Sequence, residues 1–186
     1  MLGCVAIGKL SKAAEEDSIL RISLSAVAAV VNAMKAHPNE VIVQEKACHA
    51  LRLLAQADGK REVSFVASGA VAAIVGAMQA HVGDSGVQEE ACGAIASIVH
   101  YGGAERATIV ASVSGLTAIV NAIAAHPQSV GVQQHGCKAL FELTEFPNAN
   151  LPELHRSQTA PLLEAAKRTF PEECEDAADA VLARMF

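Results

Sequence analysis

Apolar residues recur along this chain at intervals of three and four positions. Over the stretch 70–81, the residues on that spacing are Val71, Ile74, Val75 and Met78. Over the stretch from Ser85 to about Val99, one stripe contains Val87, Ala91, Cys92, Ile95, Ile98 and Val99. Such spacing places the apolar side chains on one face of a helix. The pattern therefore predicts an all-α chain with no sheet.

Two sequence blocks return along the chain in register. One block reads AVAAVVNAMKAH in its first copy, and its three copies occupy 26–37, 70–81 and 115–126. The other block reads VQEKACHALRLLA in its first copy, and its three copies occupy 43–55, 87–99 and 132–144. A cysteine ladder keeps the same interval, with members Cys4, Cys48, Cys92 and Cys137. Two independent blocks that hold one interval of 44 to 45 residues indicate repeated structural units.

Each unit is predicted to contain three helices, as the middle copy illustrates. A short first helix is predicted over 60–67. Ser68-Gly69 predicts a sharp turn after it, because glycine tolerates the backbone that such a turn requires. The two recurring blocks are the second and third helices. Ser85 and Gln88 have the spacing of a capping box, which places the start of the third helix near Ser85.

This unit resembles the armadillo repeat in its length, in the glycine between helices one and two, and in a third helix reading V-Q-x-x-A/G-C-x-A-L/I. The resemblance covers nearly the whole chain. It implies a right-handed α-solenoid of about three full three-helix repeats plus partial terminal repeats, with the third helices lining a concave groove. It implies one armadillo-like domain over 1–186, comprising a partial repeat, three full repeats and a C-terminal capping repeat over 1–12, 13–56, 57–101, 102–146 and 147–186.

The two ends of the chain differ in polarity. Cys4 aligns with Cys48, so Met1 falls inside a third helix whose own first two helices are missing. Repeat arrays need polar caps, and Leu2 and Val5 do not provide one. We therefore expect further repeats, or a homodimer, at the N-terminal end. The C-terminal helix is expected to be solvated, because it carries Glu172, Glu173, Glu175, Asp176 and Asp179.

Composition and charge narrow the classes of partner. The net charge is −6, aromatic residues make up 3% of the chain, and no dense run of Lys and Arg is present. These features argue against a nucleic-acid partner, and the acidity favours a basic one. The longest apolar stretch, around 65–78, is too short to span a bilayer and is broken by Gly69 and Gly76. We expect a cytoplasmic protein without membrane contact.

Cysteine and histidine offer the candidate chemistry. Equivalent positions of successive units lie roughly 8–10 Å apart, whereas a disulfide needs Cα atoms within about 4.4–6.8 Å. With no CxxC or CxxH pair present, the ladder cysteines are expected to be reduced and buried, without a metal. Cys174 lies outside the ladder and is the best candidate for a reactive thiol. His37, His81 and His126 each close a second helix, where histidine can pair with free carbonyl groups.

The resemblance also suggests where a partner would bind. In the armadillo family, the third helix usually carries an Asn that hydrogen-bonds an extended peptide, and some members add a Trp four residues earlier. The Asn positions here are Lys9, Leu53, Ser97 and Glu142, and the Trp positions are Val5, His49, Gly93 and Lys138. Neither residue type is kept. The implied groove would contact its ligand by mixed charge and apolar contact, through Lys9, His49, Leu53, Ser97, Lys138 and Glu142.

The leading prediction for function is a non-catalytic scaffold that binds a protein or peptide partner along the solenoid surface. An array in which each unit touches only its neighbours brings few groups together, so neither enzyme activity nor a cofactor is expected. Two alternatives stay open. The chain could be a structural building block of a larger assembly, or a regulatory repeat segment of a larger multidomain enzyme.

Overall fold

The computed structural model describes residues 25–58, Phe65, 68–146 and 159–185. Within these ranges there is no strand, and the prediction of an all-α chain is confirmed for them. The helices described are α1 Ser25–Ala36, α2 Val41–Asp58, α3 Ala70–Ala80, α4 Ser85–Ser112, α5 Gly115–Ala125, α6 Val130–Thr144, α7 Thr159–Thr169 and α8 Pro171–Met185. The predicted N-terminal partial repeat, with Lys9, lies outside the described residues, as does the helix over 60–67 apart from Phe65.

Left-handed backbone separates the helices at equivalent points. Gly69 precedes α3 with φ 70°, which confirms the sharp turn predicted there, and Ser114 precedes α5 with φ 59°. α4 consists of two helical segments, because Gly103 interrupts it with φ 65° and ψ −152°. That combination is essentially restricted to glycine. The long helix α4 therefore changes direction at Gly103.

The helices pack against their counterparts one interval further along the chain. α2 packs on α4, α4 on α6, and α6 on α8, while α3 packs on α5. The shared core consists mostly of small apolar side chains, as the scarcity of aromatic residues requires, and Phe65 is fully buried in it. The acidic residues of α8 are exposed, as expected, at Glu172, Glu173, Glu175, Asp176 and Asp179.

The cysteines belong to this core. Cys48, Cys92 and Cys137 carry free thiols and are fully buried, which confirms the predicted burial for the described part of the ladder; Cys4 lies outside the described residues. Burial raises the pKa of Cys48 and Cys92 to about 12. The prediction of a reactive thiol at Cys174 is wrong. α8 packs on α6 and buries Cys174 completely beside Cys137, and burial raises its pKa.

A buried glutamine side chain caps the C-terminal end of the second helix in each described unit. The side-chain amide of Gln88 donates to the carbonyl oxygens of Met78 and His81, both at 2.9 Å. Gln44 and Gln133 make the same pair of bonds to the helices before them, at 2.8–3.0 Å. The last carbonyls of a helix have no partner within it. These three glutamines satisfy such carbonyls in α1, α3 and α5.

The capping box predicted at Ser85 and Gln88 is wrong. Asp84 caps α4 instead, and its carboxylate accepts a hydrogen bond from the amide of Val87 at 2.9 Å. The Gln88 side chain is committed to the preceding helix, so it cannot reach back to the start of its own. The motif was matched by spacing alone, and a tertiary hydrogen bond overrides it.

The repeated histidines connect neighbouring units. His81 bonds through Nε2 to the carbonyl oxygen of Pro38 at 2.8 Å, and His126 bonds to that of Val82 at 2.7 Å. A carbonyl oxygen can only accept, so Nε2 carries the hydrogen in each case. The predicted pairing with carbonyls is found at both positions, although the carbonyl belongs to the loop of the preceding unit.

The length and apolar content of a helix decide whether it could cross a membrane. Among the residues described, no single helix is both long and apolar enough to cross a bilayer. α4 and α5 reach that length and composition only as a pair, and the pair is bent by 76°.

Candidate functional site

The residues predicted to line a groove lie on the three packed helices α2, α4 and α6, apart from Lys9, which is outside the described residues. Leu53 is 47% exposed, Lys138 is exposed, and Ser97 is half-buried. The predicted residues are linked to neighbouring helices rather than to each other. Ser97, for example, is bonded by the Gln56 side chain of α2 at 3.5 Å.

A charged cluster joins α2 to α4 around His49. Glu90 accepts hydrogen bonds from Arg52 Nε and from His49 Nδ1, each at 2.9 Å. Burial raises the pKa of Glu90, but the bonds from His49 and Arg52 and the Arg52 charge outweigh it, so the net pKa is lowered. The carboxylate is therefore ionised and paired. This cluster fixes the side chains of His49 and Arg52 on the helix surface.

Gly93 of α4 lies where a side chain of α2 and a side chain of α6 come together. A Cβ at Gly93 would lie 2.8 Å from Cδ of Arg52 on α2 and 3.5 Å from the ring of His135 on α6. The two side chains thus occupy the place where a larger residue on α4 would stand. Arg52, Gly93 and His135 form a transverse row across α2, α4 and α6.

His135 is the unusual member of this row. Its Nδ1 is buried and has no hydrogen-bond partner among the described residues. Burial has the largest influence on the pKa of His135 and lowers it. The charges of Glu89 and Glu90 raise the pKa and those of Arg52 and Lys138 lower it, and the net pKa is below the ordinary value. The neutral form of the ring therefore predominates at pH 7.

An acidic-aromatic cavity of about 410 Å³ lies at the far end of the same helices. It is lined by His100, Phe141, Glu142, Glu145 and Phe146. The side chain of Glu142, one of the predicted groove residues, is only 9% exposed. Both of its oxygens are bonded by His100 Nδ1, at 3.0 and 3.1 Å.

Arg184 of α8 contacts two of the residues that line the cavity. Its guanidinium lies 5.0 Å from the centroid of the Phe141 ring, which is the geometry of a cation–π contact. It also donates to Thr144 Oγ1 at 3.0 Å and pairs with Glu145. A cation from this chain thus binds one aromatic ring and one carboxylate beside the cavity.

Sequence reasoning identified Glu142 and missed the rest of this cavity. His100 has no histidine at the equivalent positions of the other units, and neither Phe141 nor Phe146 belongs to the predicted groove. A signal was present, since an acid stands directly beside an aromatic residue twice within six positions, at Phe141-Glu142 and Glu145-Phe146. His100 and Arg184 are about 40 residues away on either side, and only the fold brings them in.

The side chains on these helices are of types that can bind a ligand through charge, hydrogen bonds and ring contacts. Carboxylates, a guanidinium, imidazoles and phenyl rings lie on one set of helices, and Glu90 and Glu145 are already paired with cations. Among the described residues, no three of His, Cys, Asp and Glu are grouped so that they could hold a metal ion. Comparison with known proteins gives no match: no family model fits the chain, and no characterised sequence or solved structure is significantly similar to it.

Proposed function

We propose that this chain is a non-catalytic interaction scaffold that binds a protein or peptide along α2, α4 and α6. In this proposal the helices form a right-handed armadillo-type α-solenoid of about three full repeats with partial repeats at the ends. The equivalent hydrogen bonds of Gln44, Gln88 and Gln133 support a common repeated unit. The packing of each long helix on the next supports an array in which units contact their neighbours.

One observation carries the binding proposal, namely the transverse row. Arg52 and His135 both lie over Gly93, so side chains from α2 and α6 come together across α4. Leu53, which follows Arg52 on α2, adds an exposed apolar group at 47% exposure, and Lys138 adds an exposed charge on α6. A mixed surface that spans several helices suits an extended peptide better than a small molecule, because an extended chain can contact each helix in turn.

The test is selection of binding peptides from a random library displayed on phage. We expect the selected peptides to bind the unaltered chain and to lose at least about tenfold in affinity with Leu53→Glu or Lys138→Glu. A tenfold loss corresponds to about 1.4 kcal/mol, which is within the range for removing an interface contact. Binding is measured by fluorescence anisotropy of the labelled peptide.

Matched controls use exposed residues of α3 and α5, the helices that precede α4 and α6 in the chain. Gln79→Glu and Asn121→Glu introduce the same negative charge there. Both should leave the affinity unchanged. If no peptide is selected above background, or if the control variants weaken binding as much as Leu53→Glu does, the binding surface has been assigned to the wrong place. The structural building-block alternative would then be favoured.

A further inference from the structure

The Glu142 carboxylate has unused hydrogen-bonding capacity. An ionised carboxylate offers about four lone-pair sites, yet among the described residues Glu142 is bonded only by His100 Nδ1. Its side chain is 9% exposed and lines the acidic-aromatic cavity. A charge this far removed from water is costly unless a cation or several donors face it. The free capacity of Glu142 is therefore available to a group that enters the cavity.

The walls of the cavity specify what kind of group fits. Phe141 and Phe146 supply phenyl rings, and Glu145 places a second carboxylate at the rim, with 44% of its side chain exposed. No Lys or Arg is among the described residues that line the cavity. Arg184, just outside it, already combines a guanidinium with the Phe141 ring and the Glu145 carboxylate. The cavity lining holds the same kinds of group, phenyl rings and a carboxylate, and here the carboxylate is that of Glu142, which Arg184 does not bond.

We propose that the acidic-aromatic cavity binds an arginine side chain of a peptide partner. A planar guanidinium can bond a carboxylate through two parallel N–H groups and stack on an aromatic face, whereas the compact ammonium of lysine does neither. The net charge of −6 attracts a basic peptide toward the chain. The inference rests on the proposed function, because it assigns the arginine to a peptide that lies on α4 and α6.

The arrangement also explains why the site should discriminate by charge. A neutral ligand with the shape of arginine carries a urea group, in which a carbonyl oxygen replaces one N–H2 donor of the guanidinium. It would bring no positive charge to Glu142, and it could not donate the two parallel bonds through that side of its head. Bonds between an ionised donor and a carboxylate are among the strong ones, so this replacement should weaken binding substantially.

The test compares three short peptides that differ in one central residue, which is arginine, lysine or the neutral arginine analogue citrulline. Each is titrated into the full ¹⁵N-labelled chain, and amide chemical shifts are followed by NMR. We expect the arginine peptide to shift the amides of 141–146 and of His100, and to bind at least about tenfold more tightly than the citrulline peptide. The lysine peptide should fall between them.

Variants of the chain locate the effect. Glu142→Gln should reduce binding of the arginine peptide to the level of the citrulline peptide, and Phe146→Ala should weaken it. Glu164→Gln removes an exposed carboxylate on α7 and should have no effect. The comparison of peptides uses the unaltered chain, so it decides the question even if Glu142→Gln does not fold.

Four outcomes overturn the proposal. Arginine and citrulline peptides could bind equally, or the shifts could map away from 141–146. N-acetyl-arginine methylamide could bind as tightly as the peptide, which would make the cavity a site for small guanidinium compounds. Peptides selected on phage that are lost with Leu53→Glu but unaffected by Glu142→Gln would refute this inference while leaving the proposed function intact.

Discussion

The side-chain amide of Gln133 donates a hydrogen bond to the main-chain carbonyl of His126, 2.9 Å away, and a second to that of Ile123. Gln133 is 2% exposed, so water cannot replace it. The helix α5 ends at these carbonyls because the glutamine side chain of α6 takes the place of the next turn. This contact within one unit connects the end of one helix to the flank of the next.

Replacing Gln133 by leucine should destabilise the chain. The substitution keeps a side chain of similar size but removes both hydrogen bonds. The buried carbonyl of Ile123 loses the donor that Gln133 supplies, at about 1–3 kcal/mol, whereas the carbonyl of His126 keeps its bond from the amide of Ser129. We expect the free energy of unfolding to fall by about 1–3 kcal/mol in a urea titration. Gln134→Leu is the control, since its neighbour Gln134 is exposed, and it should change stability by less than about 0.5 kcal/mol. Equal effects of the two variants would contradict the structural role of Gln133.

Two glycines of α6 should respond differently to alanine. A Cβ at Gly136 would lie 2.6 Å from Cγ1 of Ile123 in the core, whereas a Cβ at Gly131 would meet the carboxylate of Glu89. The end of a glutamate side chain can move toward solvent, but a core isoleucine cannot. Gly136→Ala should therefore cost about 1–3 kcal/mol. Gly131→Ala should be close to neutral, and thermal unfolding of the two variants measures the contrast.

The pH dependence of stability should reveal His135. Burial lowers its pKa in the folded chain below the ordinary value of 6.5. As the pH falls through that value, the unfolded chain takes up a proton that the folded chain resists, so stability falls until the folded pKa is passed. Well above pH 6.5 the residue is neutral in both states and has no such effect.

The measurement compares the unaltered chain with His135→Gln between pH 8 and pH 5. The unaltered chain should lose more stability on acidification than the variant does. Other histidines titrate in both proteins and cancel in the difference. If the two curves run parallel over this range, His135 titrates as it does in the unfolded chain and its burial has no energetic consequence.

Cys92 should tolerate a small apolar replacement and reject a charge. It is fully buried, and its pKa of about 12 keeps the thiol neutral. Cys92→Ala should cost about 1 kcal/mol, whereas Cys92→Asp would bury an unpaired carboxylate and should cost about 3–5 kcal/mol. Chemical denaturation measures both values. A mild effect of the aspartate would indicate that this part of α4 opens readily to water.

Sequence periodicity was sufficient to predict the helices and much of their order. The spacing around Ile74 and Ile95 repeats the 3.6-residue period, and the turn at Gly69 follows from the backbone that glycine allows. The V-Q pair marks the repeat, but its spacing from Ser85 predicts a capping box at Gln88. Only the packed structure shows that the Gln88 side chain reaches the helix before it.

The candidate site was harder to predict than the helices. Resemblance gave positions on the third helices, and Glu142 was among them, but it could not give their partners. The His100–Glu142 bond joins helices that are 42 residues apart in sequence, and Arg184 reaches Thr144 across 40. Neither His100 nor Arg184 has an equivalent in the other units, so a search for repeated residues passes over both.

The hydrogen bonds of each glutamine stay within its own unit, and this affects how such a chain can gain or lose units. Gln88 and the carbonyls it binds lie within eleven consecutive residues, so each copy of the segment carries its own helix terminator. The link from His81 to Pro38 needs only a main-chain oxygen, which any loop sequence provides. A gene duplication that inserts one more copy of the 44-residue segment would therefore bring its own glutamine and histidine bonds, which are the polar contacts that recur from unit to unit. Lengthening by whole units should be tolerated, whereas inserting a few residues between His81 and Gln88 should not.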